Sequence, residues 1–404
     1  MGAHALLAPS SAKRWMTCTP SARLEATMPD KDTAYTREGT IAHAMAESLL
    51  LHLLSNDPFE PVACPDFNEV IQYGEARLLH QINDCNEEGL DWKEMAETVY
   101  EHYVRLVYEA YLGAKLEDPD AVLLIESKLQ LAEFIPEGFG SSDAVLIYGD
   151  TLEVFDLKYG KGVKVEAQEN AQMMCYALGA YCGQGEFYDI ANVRMTIIQP
   201  RLRHESSWTM SATDLMTWAK DELAPAALKA WNGEGEQTPG EHCRFCKVAA
   251  KCKALANYTL GVTEDKTEPG LMSLEDIAKL LPHFATIKSW INSVEEFALE
   301  AALDGDTIPG YKIVEGRSVR KISNAAEAIQ RLEGAGIPAE NYLKPAELKT
   351  ITDLEKTLTK KGFKTILGDL VIKPEGKPTL VEEADPREPF SKARNDFKDI
   401  IENL

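Results

Sequence analysis

The sequence predicts an α/β protein in which helices flank a mixed β-sheet. The first observation is a set of four short segments rich in apolar and β-branched residues, at positions 121–131, 144–148, 151–158 and 194–202. The second is a helical pattern over about residues 166–182, between the third segment and the fourth. The third is a mostly helical pattern from Ser10 to about Leu112. Strands that bracket a helix indicate a mixed sheet, with a site expected at one sheet edge.

Within these regions, three local features can be predicted individually. Ser10 and Ser11 suit the N-cap of a first short helix, because a serine hydroxyl can accept a hydrogen bond from a free backbone N–H group. The apolar-rich stretch Thr40–Leu54 predicts a longer helix. Gly149-Asp150 predicts the tight turn of a hairpin between the second and third strands.

The chain after the fourth strand is organised differently. A loop-like run at residues 231–240 precedes a cysteine cluster, and helices are predicted from Ser273 to about Leu303 and over Asn324–Gly334. Beyond Lys344 the chain is rich in Lys and Glu, and its tail is predicted to be extended or poorly ordered. We expect a domain boundary near residue 265, which separates residues 1–265 from an α+β domain over residues 266–404.

Composition limits the function classes. The 404 residues are 45% apolar and 26% charged, which is ordinary for a globular protein and excludes a disordered chain or a disulfide-stapled miniprotein. Sixty-five acidic against 42 basic residues give a net charge of −23, so DNA binding would need a local basic groove or metal ions. No apolar run reaches the roughly 18 residues of a membrane span, and the N-terminus lacks the charge order of a signal peptide. We therefore expect a cytoplasmic protein with no membrane partner.

The predicted hairpin carries two acids and a lysine. Asp143 opens one strand, and Asp156 and Lys158 lie two residues apart near the end of the other, so their side chains share a sheet face. Two carboxylates can hold a hard divalent ion such as Mg²⁺ or Mn²⁺. The ion would activate a water molecule, and the lysine would stabilise charge that develops on a phosphate. Taken alone, an Asp-x-Lys sequence is common, and two solvated acids with a surface lysine explain it equally well.

Two further pairs accompany the hairpin in the sequence. His43 follows Gly39-Thr40-Ile41-Ala42 and could ligate the same metal ion, while Glu47, one helical turn later, could orient its imidazole. Gln172 and Tyr176 are four residues apart on the predicted helix after the hairpin, so they share one helix face. They could meet a phosphate or a base beside the metal. Each residue alone is also compatible with an ordinary structural role.

Three cysteines form the spacing C-x₂-C-x₅-C at Cys243, Cys246 and Cys252. Three thiolates this close in sequence can surround one metal centre, with a fourth ligand from elsewhere in the chain. The spacing fits zinc and an iron–sulfur cluster about equally well. His242 is a candidate fourth ligand for zinc, and Cys18 is the alternative. The remaining cysteines show no such pattern and are expected to be ordinary thiols.

In this order, GTIAH, GSSD, EVFDLKYGKG and QMMCY resemble the motifs of the PD-(D/E)xK nuclease superfamily, in particular its RecB-like exonuclease branch. The resemblance covers roughly residues 10–255 and implies a restriction-endonuclease-like core. It implies that His43, Asp143 and Asp156 ligate Mg²⁺ or Mn²⁺, with the backbone carbonyl of Leu157. It further implies that Lys158 is the catalytic lysine and that Gln172 and Tyr176 form the Q-x-x-x-Y pair of this branch.

The same resemblance implies a cofactor. Iron–sulfur members of the branch, which include the helicase-associated AddB nuclease and the CRISPR-adaptation nucleases, have one cysteine before the nuclease core and three after it. Cys18 with Cys243, Cys246 and Cys252 matches this layout. The resemblance therefore implies a 4Fe–4S cluster that joins the two ends of the nuclease domain. Binding such a cluster closes a long loop and stabilises the folded state.

Basic residues near the motifs suggest where DNA would lie. They follow the hairpin, follow the last strand and surround the cysteines: Lys158, Lys161, Lys164, Arg201, Arg203, Arg244, Lys247, Lys251 and Lys253. They could line a channel for the phosphate backbone on an otherwise acidic surface. Trp15, Tyr159 and Trp208 are candidates for stacking on bases, although aromatic residues more often belong to the core.

The N-terminal PSSAKRW and the C-terminal tail resemble a phage-encoded family of RecB-like proteins. This resemblance implies a recombination role in a bacterial host cell, with a phage single-strand annealing or binding protein as a possible partner. From these motifs we expect a metal-dependent exonuclease acting on DNA ends. The alternatives are a non-catalytic DNA-binding or adaptor protein on a nuclease fold, motivated by the acidic charge, and a structural protein stabilised by zinc.

Overall fold

A computed structural model describes most of the chain. The described residues are 5–29, 33–55, 64–185, 187–263, 273–316, 320–344, 347–348, 351–372 and 378–382. The chain forms two compact units, Met1–Trp290 and Ile291–Leu404. Their division falls inside a helix, Phe284–Leu303. The boundary that the sequence predicts near residue 265 lies outside the described residues, and the division into a nuclease domain and an accessory domain stays a prediction.

The first unit contains the five-stranded sheet and most of the helices. Before the sheet lie α1 (Ala12–Thr17), α2 (Ser21–Glu25), α3 (Ala34–Ser55), α4 (Phe67–Gly74), α5 (Leu79–Glu88), α6 (Trp92–Val99) and α7 (Arg105–Glu117). A π-helical turn, Tyr100–Val104, joins α6 to α7. The predicted N-terminal helical region is thus confirmed. Ser11 occupies the N-cap of α1, as predicted, but its hydroxyl donates to the Ala8 carbonyl oxygen and accepts no hydrogen bond from a helix N–H group.

The sheet is mixed, as predicted. Its strands are β1 (Val122–Gln130), β2 (Phe139–Tyr148), β3 (Thr151–Leu157), β4 (Asn192–Gln199) and β5 (His204–Ser211), in the order β1-β2-β3-β4-β5. Only β3 and β4 run parallel; the other neighbouring pairs are antiparallel. Tyr148 pairs with Thr151, which confirms the tight turn at Gly149-Asp150. β2 begins at Phe139, so Asp143 lies within this strand and does not open it, since β1 is long enough to pair with these extra residues.

The remaining helices of the first unit are α8 (Ala171–Gln184), α9 (Ala212–Trp218), α10 (Ala224–Asn232), α11 (Lys253–Thr263) and α12 (Leu274–Leu280). α8 starts five residues after the predicted position at Glu166, because Asn170 supplies the N-cap by accepting hydrogen bonds from the N–H groups of Gln172 and Met173. α13 (Phe284–Leu303) follows α12 after a turn that contains Pro282, so the predicted helix at 273–303 is interrupted there. The sequence pattern predicts neither β5 nor α9 and α10.

Two hydrophobic cores lie on opposite faces of the sheet. One contains Val145, Val154 and Met195 with buried residues of α8 and α10. The other contains Ala144, Phe155 and Leu157 with α3, α6, the π-helical turn and α7. Successive residues of β2 and β3 therefore point in turn into one core and then into the other. Because helices pack on both faces of the sheet, the ends of its strands are held in fixed positions.

The second unit is small and has its own core, formed by residues such as Leu332, Leu354 and Leu367. Its elements are β6 (Tyr311–Glu315), β7 (Lys321–Ile322), α14 (Ala325–Gly334), β8 (Leu343–Lys344), β9 (Glu347–Leu348), α15 (Ile351–Leu367), β10 (Val371–Ile372) and β11 (Pro378–Glu382). β11 pairs with β6, β10 with β7, and β8 with β9. The helix predicted at Asn324–Gly334 is confirmed, with Asn324 as its N-cap. No helix among the described residues is long and apolar enough to cross a membrane.

Candidate active site and cysteine-lined cavity

The two predicted acids meet where β2 and β3 separate. The last paired residues of these strands are Ala144 and Phe155, so Asp143 and Asp156 are the next residues on neighbouring strands. Beyond this point β2 and β3 are joined by a hydrogen bond from backbone to side chain in place of backbone pairing. The Leu157 N–H group donates to Oδ2 of Asp143 at 2.7 Å. Both strands are central in the sheet order, and the acids lie where the β2–β3 pairing ends, near the C-terminal end of β3. That the site lies at one edge of the sheet stays a prediction.

His43 reaches this point from α3. Its Nδ1 lies 3.0 Å from Oδ1 of Asp143, so residues 100 positions apart in the sequence are in contact. Burial would lower the pKa of His43, but the carboxylate of Asp143, helped by that of Asp156, outweighs burial and raises it. The imidazole of His43 is oriented by Asp143 and not, as the sequence suggested, by Glu47. Glu47 makes no hydrogen bond to this ring among the described residues.

Asp156 is the centre of a second set of contacts. The carboxylate is almost fully buried, with Oδ2 2.9 Å and Oδ1 3.1 Å from Nζ of Lys158. The side-chain amide of Gln172 donates to Oδ1 of Asp156 at 3.3 Å and to the hydroxyl of Tyr176 at 2.9 Å. Gln172 is placed by the N-cap of α8. Burial raises the pKa of Asp156, and the ammonium group of Lys158 only partly opposes this rise.

Glu126 is a site residue that the sequence analysis does not identify. In the register of β1 and β2 it would face Asp143, but the pairing is interrupted there and Glu126 has a φ of 48°. Its half-buried carboxyl has a raised pKa, mainly through burial and then through the negative charge of Asp143, with Glu47 adding to it. A single glutamate within a strand has no sequence signature, so only the three-dimensional register reveals it.

These residues fit a hard divalent ion by their chemistry, because carboxylate oxygens and an imidazole nitrogen are suitable ligands. One observation supports the fit. Oδ2 of Asp156 is buried and accepts no hydrogen bond of acceptable geometry among the described residues, although Nζ of Lys158 is close to it. As they stand, however, no three His, Cys, Asp or Glu side chains in the described part of the chain form a group that could hold a metal ion. The acids are instead paired internally with His43 and Lys158.

The four predicted cluster ligands line one cavity. Cys18, from the end of α1, shares it with Cys243, Cys246 and Cys252. The lining also includes apolar side chains such as Leu24 and Leu255 and polar ones such as Arg14 and Gln237. The Leu255 N–H group lies 3.4 Å from Sγ of Cys252 and donates to it. Burial raises the pKa of Cys246 to about 12 and also raises that of Cys243, so metal binding must displace thiol protons. Four thiols thus line one cavity, and thiolates are suitable ligands for zinc or an iron–sulfur cluster. As they stand, no three of these cysteines form a group that could hold a metal ion, so a bound centre would require the thiols to move closer together.

His242 lines the same cavity, but its Nε2 atom lies 2.8 Å from the Thr238 carbonyl oxygen. That nitrogen is therefore engaged by the backbone. Its other nitrogen, Nδ1, remains able to ligate a metal, so this contact does not decide between Cys18 and His242 as the fourth ligand.

The N-terminal segment is tied to the cysteine region by further contacts. The buried carboxylate of Glu25 accepts hydrogen bonds from Nε of Arg14 at 2.7 Å and from the Lys247 N–H group at 2.8 Å. The hydroxyl of Thr19 donates to the Glu234 carbonyl oxygen. Hydrogen bonds within the chain thus join residues that are more than 200 positions apart in the sequence.

The predicted DNA contacts divide into exposed and buried groups. Lys161 and Lys164 are exposed on the loop after β3, as are Arg203, Arg244, Lys247, Lys251 and Lys253 elsewhere on the surface. Arg201 is instead paired with Glu38 at 2.6 Å and lies over the ring of Tyr159. Trp15 and Tyr159 are buried, and Trp208 packs against a core. Trp15 and Tyr159 therefore cannot stack on bases in this structure.

Comparison with known proteins gives two results. A solved structure, that of SSO0001, aligns with 52% of this chain and 95% of its own, at 13% identity and a TM-score of 0.22, which is too low to support an argument. A family model described as "Protein of unknown function (DUF2800)" matches residues 4–388. Because this match spans nearly the whole chain, the protein belongs to the DUF2800 family.

Proposed function

We propose that the protein is a divalent-metal-dependent deoxyribonuclease that degrades DNA from its ends. The observation that supports this most directly is the convergence of His43, Asp143, Asp156 and Lys158 from distant segments. His43 contacts Asp143, and Lys158 contacts Asp156, whose buried Oδ2 accepts no hydrogen bond of acceptable geometry among the described residues. A protein rarely buries an acid in this way without a use for it. The proposal extends the resemblance of the motifs to RecB-like exonucleases.

In this proposal Asp143, Asp156 and His43 hold Mg²⁺ or Mn²⁺, with the Leu157 carbonyl oxygen as a further ligand. A divalent ion in such a site lowers the pKa of a bound water and neutralises charge on the scissile phosphate. Binding would replace two internal pairs, His43 with Asp143 and Lys158 with Asp156. The ammonium group of Lys158, released from Asp156, is then available to stabilise negative charge on the phosphate.

Gln172 and Tyr176 serve to position other groups. The amide of Gln172 contacts both Asp156 and Tyr176, so it links the acid to the first turns of α8. A phosphate or base beside the metal would meet this pair first. Their contribution is to hold Asp156 and the substrate in one orientation.

The cofactor in the cysteine-lined cavity is proposed to be a 4Fe–4S cluster with a structural role. Its ligands are Cys18, Cys243, Cys246 and Cys252. The support is the shared cavity and the match with the one-plus-three layout of related iron–sulfur nucleases. Zinc remains the competing assignment, and the colour and metal content of the purified protein distinguish the two.

The loop after β3 offers a path for DNA beside the acids. It carries the exposed Lys161 and Lys164. The buried side chain of Gln199 holds the loop on both sides of Lys164, because its Nε2 donates to the Val163 carbonyl oxygen and its Oε1 accepts from the Val165 N–H group. Exposed ammonium groups on a fixed loop can contact backbone phosphates without reading sequence. We place the activity in phage recombination, where digestion of ends would expose single strands for an annealing or binding protein.

The test is digestion of end-labelled linear DNA by the full-length protein, purified without oxygen and supplied with Mn²⁺. We expect the wild-type protein to degrade the DNA and Asp156→Ala or Lys158→Ala to lower the rate by at least about 100-fold. Asp150→Ala, in the exposed turn of the same hairpin, is the matched control and should retain activity. Folding of each variant is checked by circular dichroism.

Digestion that survives both substitutions would refute the nuclease assignment. DNA binding with no cleavage under Mg²⁺ or Mn²⁺ would instead support the second candidate, a non-catalytic DNA-binding or adaptor protein. The internal pairing of the acids with His43 and Lys158 is the observation that keeps this second candidate open.

A further inference from the structure

Phe245 is an aromatic side chain that the fold leaves in solvent. It is 72% exposed, although Cys243 and Cys246 on either side of it in the sequence line the cysteine-lined cavity. Cζ of Arg244 lies 5.4 Å from the centre of its ring, within the range of a cation–π contact. Single exposed apolar side chains are common, so the surroundings of this one decide what it can do.

The surroundings of Phe245 are basic. Residues 241–253, the basic segment, carry four exposed basic side chains: Arg244, Lys247, Lys251 and Lys253. The one acid of the segment, Glu241, lies 3.9 Å from Nζ of Lys13, so a further cation opposes its charge. Because the whole chain has a net charge of −23, this positive patch is a local exception. Such a patch attracts polyanions.

The backbone of the basic segment is held in place by hydrogen bonds. The Cys246 N–H group donates to the Cys243 carbonyl oxygen, and the Ala249 N–H group donates to that of Cys246. These three residues line the cavity, whereas the basic side chains between and after them are exposed. The carboxylate of Glu25 accepts from the Lys247 N–H group at 2.8 Å and so ties the segment to α2. A backbone fixed in this way loses little conformational freedom when a partner binds.

An aromatic ring among cations fits single-stranded nucleic acid better than a duplex or an acidic protein. Phosphates of a single strand or a duplex could pair with the cations, but a base offers its face to a ring only when it has left the stack of a duplex. An acidic peptide would use the cations and leave the ring without a role. Two of the aromatic residues that the sequence suggests for stacking, Trp15 and Tyr159, are buried and cannot serve in place of Phe245.

We propose that the basic segment binds single-stranded DNA, with a base stacked on Phe245 and with phosphates paired to Arg244 and the lysines. The inference deepens the proposed function and rests on it for the identity of the polynucleotide as DNA. It makes the single strand the form of DNA that this surface holds, which the motifs leave open. Neither the acids of the hairpin nor a bound metal takes part in this contact.

The experiment measures binding by fluorescence anisotropy, with the full-length protein in buffer without divalent ions. The probes are a labelled oligothymidylate and a blunt-ended duplex of the same length. We expect the wild-type protein to bind the single strand more tightly, and Phe245→Ala to weaken that binding by about 5- to 100-fold, the usual effect of a lost stacking contact. Phe245→Leu should weaken it similarly, because leucine is apolar but has no ring.

Phe187→Ala is the matched control. Phe187 is 76% exposed after the end of α8, but its neighbour in the sequence is the acid Asp189. Its loss should leave the affinity for oligothymidylate unchanged. Because Phe187 and Phe245 are both exposed, the melting temperatures of these variants should equal that of the wild-type protein.

The salt dependence tests the phosphate contacts. For single strands, the slope of the logarithm of affinity against the logarithm of salt concentration changes by about 0.7 for each phosphate contact. Arg244→Ala and Lys253→Ala should each reduce the slope by about this amount. An unchanged slope in both variants would show that the segment does not contact the strand.

The stacking contact has its own contrary outcomes. Wild-type affinity for oligothymidylate in Phe245→Ala or in Phe245→Leu would overturn it, as would tighter binding of the duplex by the wild-type protein.

Digestion of end-labelled DNA with Mn²⁺, measured on the same preparations, separates this inference from the proposed function. Binding that depends on Phe245, with no digestion by the wild-type protein, would support the inference and refute the nuclease. Digestion by the wild-type protein without binding that depends on Phe245 would overturn the inference alone.

Discussion

Glu126 lies opposite Asp143 with an unusual backbone conformation. A φ of 48° is unusual for a residue with a Cβ atom, and it interrupts the pairing of β1 with β2 opposite Asp143. The carboxyl stays half-buried near other acids, where its ionised form is disfavoured. Such strain is tolerated mainly where the site uses it.

Replacement of Glu126 by glutamine should have opposite effects on the metal-free and metal-bound states. Without divalent ions, Glu126→Gln removes a charge that repels Asp143 and Glu47, so we expect a higher melting temperature. With Mn²⁺, the loss of one acid should weaken binding by about 10-fold or more. Differential scanning fluorimetry at several Mn²⁺ concentrations measures both effects.

The control for this change is Glu137→Gln. Glu137 also has a positive φ, of 52°, but its side chain is exposed. This variant should leave Mn²⁺ binding unaffected. Equal Mn²⁺ affinity of Glu126→Gln and the wild-type protein would show that Glu126 has no part in the ion site.

At this scale the sequence identifies the residues whose spacing is local. Asp156 with Lys158 and Gln172 with Tyr176 are close in sequence, and the structure indeed brings each pair into contact. Glu126 is not identifiable in this way. Its position depends on strand register, which leaves no pattern in a single sequence.

Among the elements, α8 is positioned by a close approach to the sheet. A Cβ atom at Gly179 would lie 2.7 Å from the Cβ atom of Leu129 in β1 and 3.2 Å from Cγ of Leu131. These atoms belong to buried core side chains, so they cannot easily move away. The absence of a side chain at Gly179 therefore allows α8 to place Gln172 beside Asp156.

Gly179→Ala should lower the free energy of unfolding by about 1–3 kcal/mol, because one extra methyl group overpacks the interface between α8 and β1. Because α8 must shift, the variant should also lose DNA digestion in the assay described above. Chemical denaturation provides the stability measurement. Gly183→Ala, one turn later on α8, is the control, since its Cβ would only meet Cγ of Gln130 at an ordinary 3.6 Å.

Gly183→Ala should be neutral or slightly stabilising, because alanine favours helix by about 1 kcal/mol over glycine. If Gly179→Ala were as stable as Gly183→Ala, then α8 would not be fixed by this contact.

The elements were predictable to different degrees for physical reasons. The hairpin around Gly149-Asp150 depends on local turn chemistry, and it is predicted correctly. The start of α8 is misplaced because Asn170 caps the helix more effectively than the residues before it. The chain beyond Lys344 has no simple apolar pattern, yet it contains α15, whose buried residues belong to the core of the second unit. There tertiary packing overrides the local signal.

At the scale of the whole molecule, the cysteine-lined cavity joins the beginning of the first unit to residues near its end. A metal centre bound by Cys18 and by the three later cysteines would close a loop of over 200 residues. Crosslinks across such long loops contribute the most in the chain-entropy model, about 4–5 kcal/mol. The acidic surface, with a net charge of −23, gives no comparable stabilisation.

Cys18→Ser should therefore lower iron content and melting temperature as much as Cys246→Ser does, by about 10 °C. The wild-type protein should be brown, with absorbance at about 400 nm. Iron analysis and thermal denaturation of the anaerobic protein provide the measurements. Cys182→Ser, outside the cavity, is the control and should retain the cluster.

A colourless protein that contains zinc would overturn the cluster assignment. Unchanged metal content and melting temperature in Cys18→Ser would show that Cys18 is not a ligand. In that case the N-terminal segment would be held without a cluster, by core packing and by contacts such as those of Glu25 and Thr19 with residues 247 and 234.

The contacts between Glu25 and the backbone of Lys247 have a consequence for how the protein is made. Residues 19 and 25 are translated long before their partners at positions 234 and 247, which are synthesised more than 200 residues later. These contacts therefore form only after most of the first unit has emerged. Completion of this unit is a late event of translation, and a chain interrupted before Lys247 would lack the hydrogen bond to Glu25.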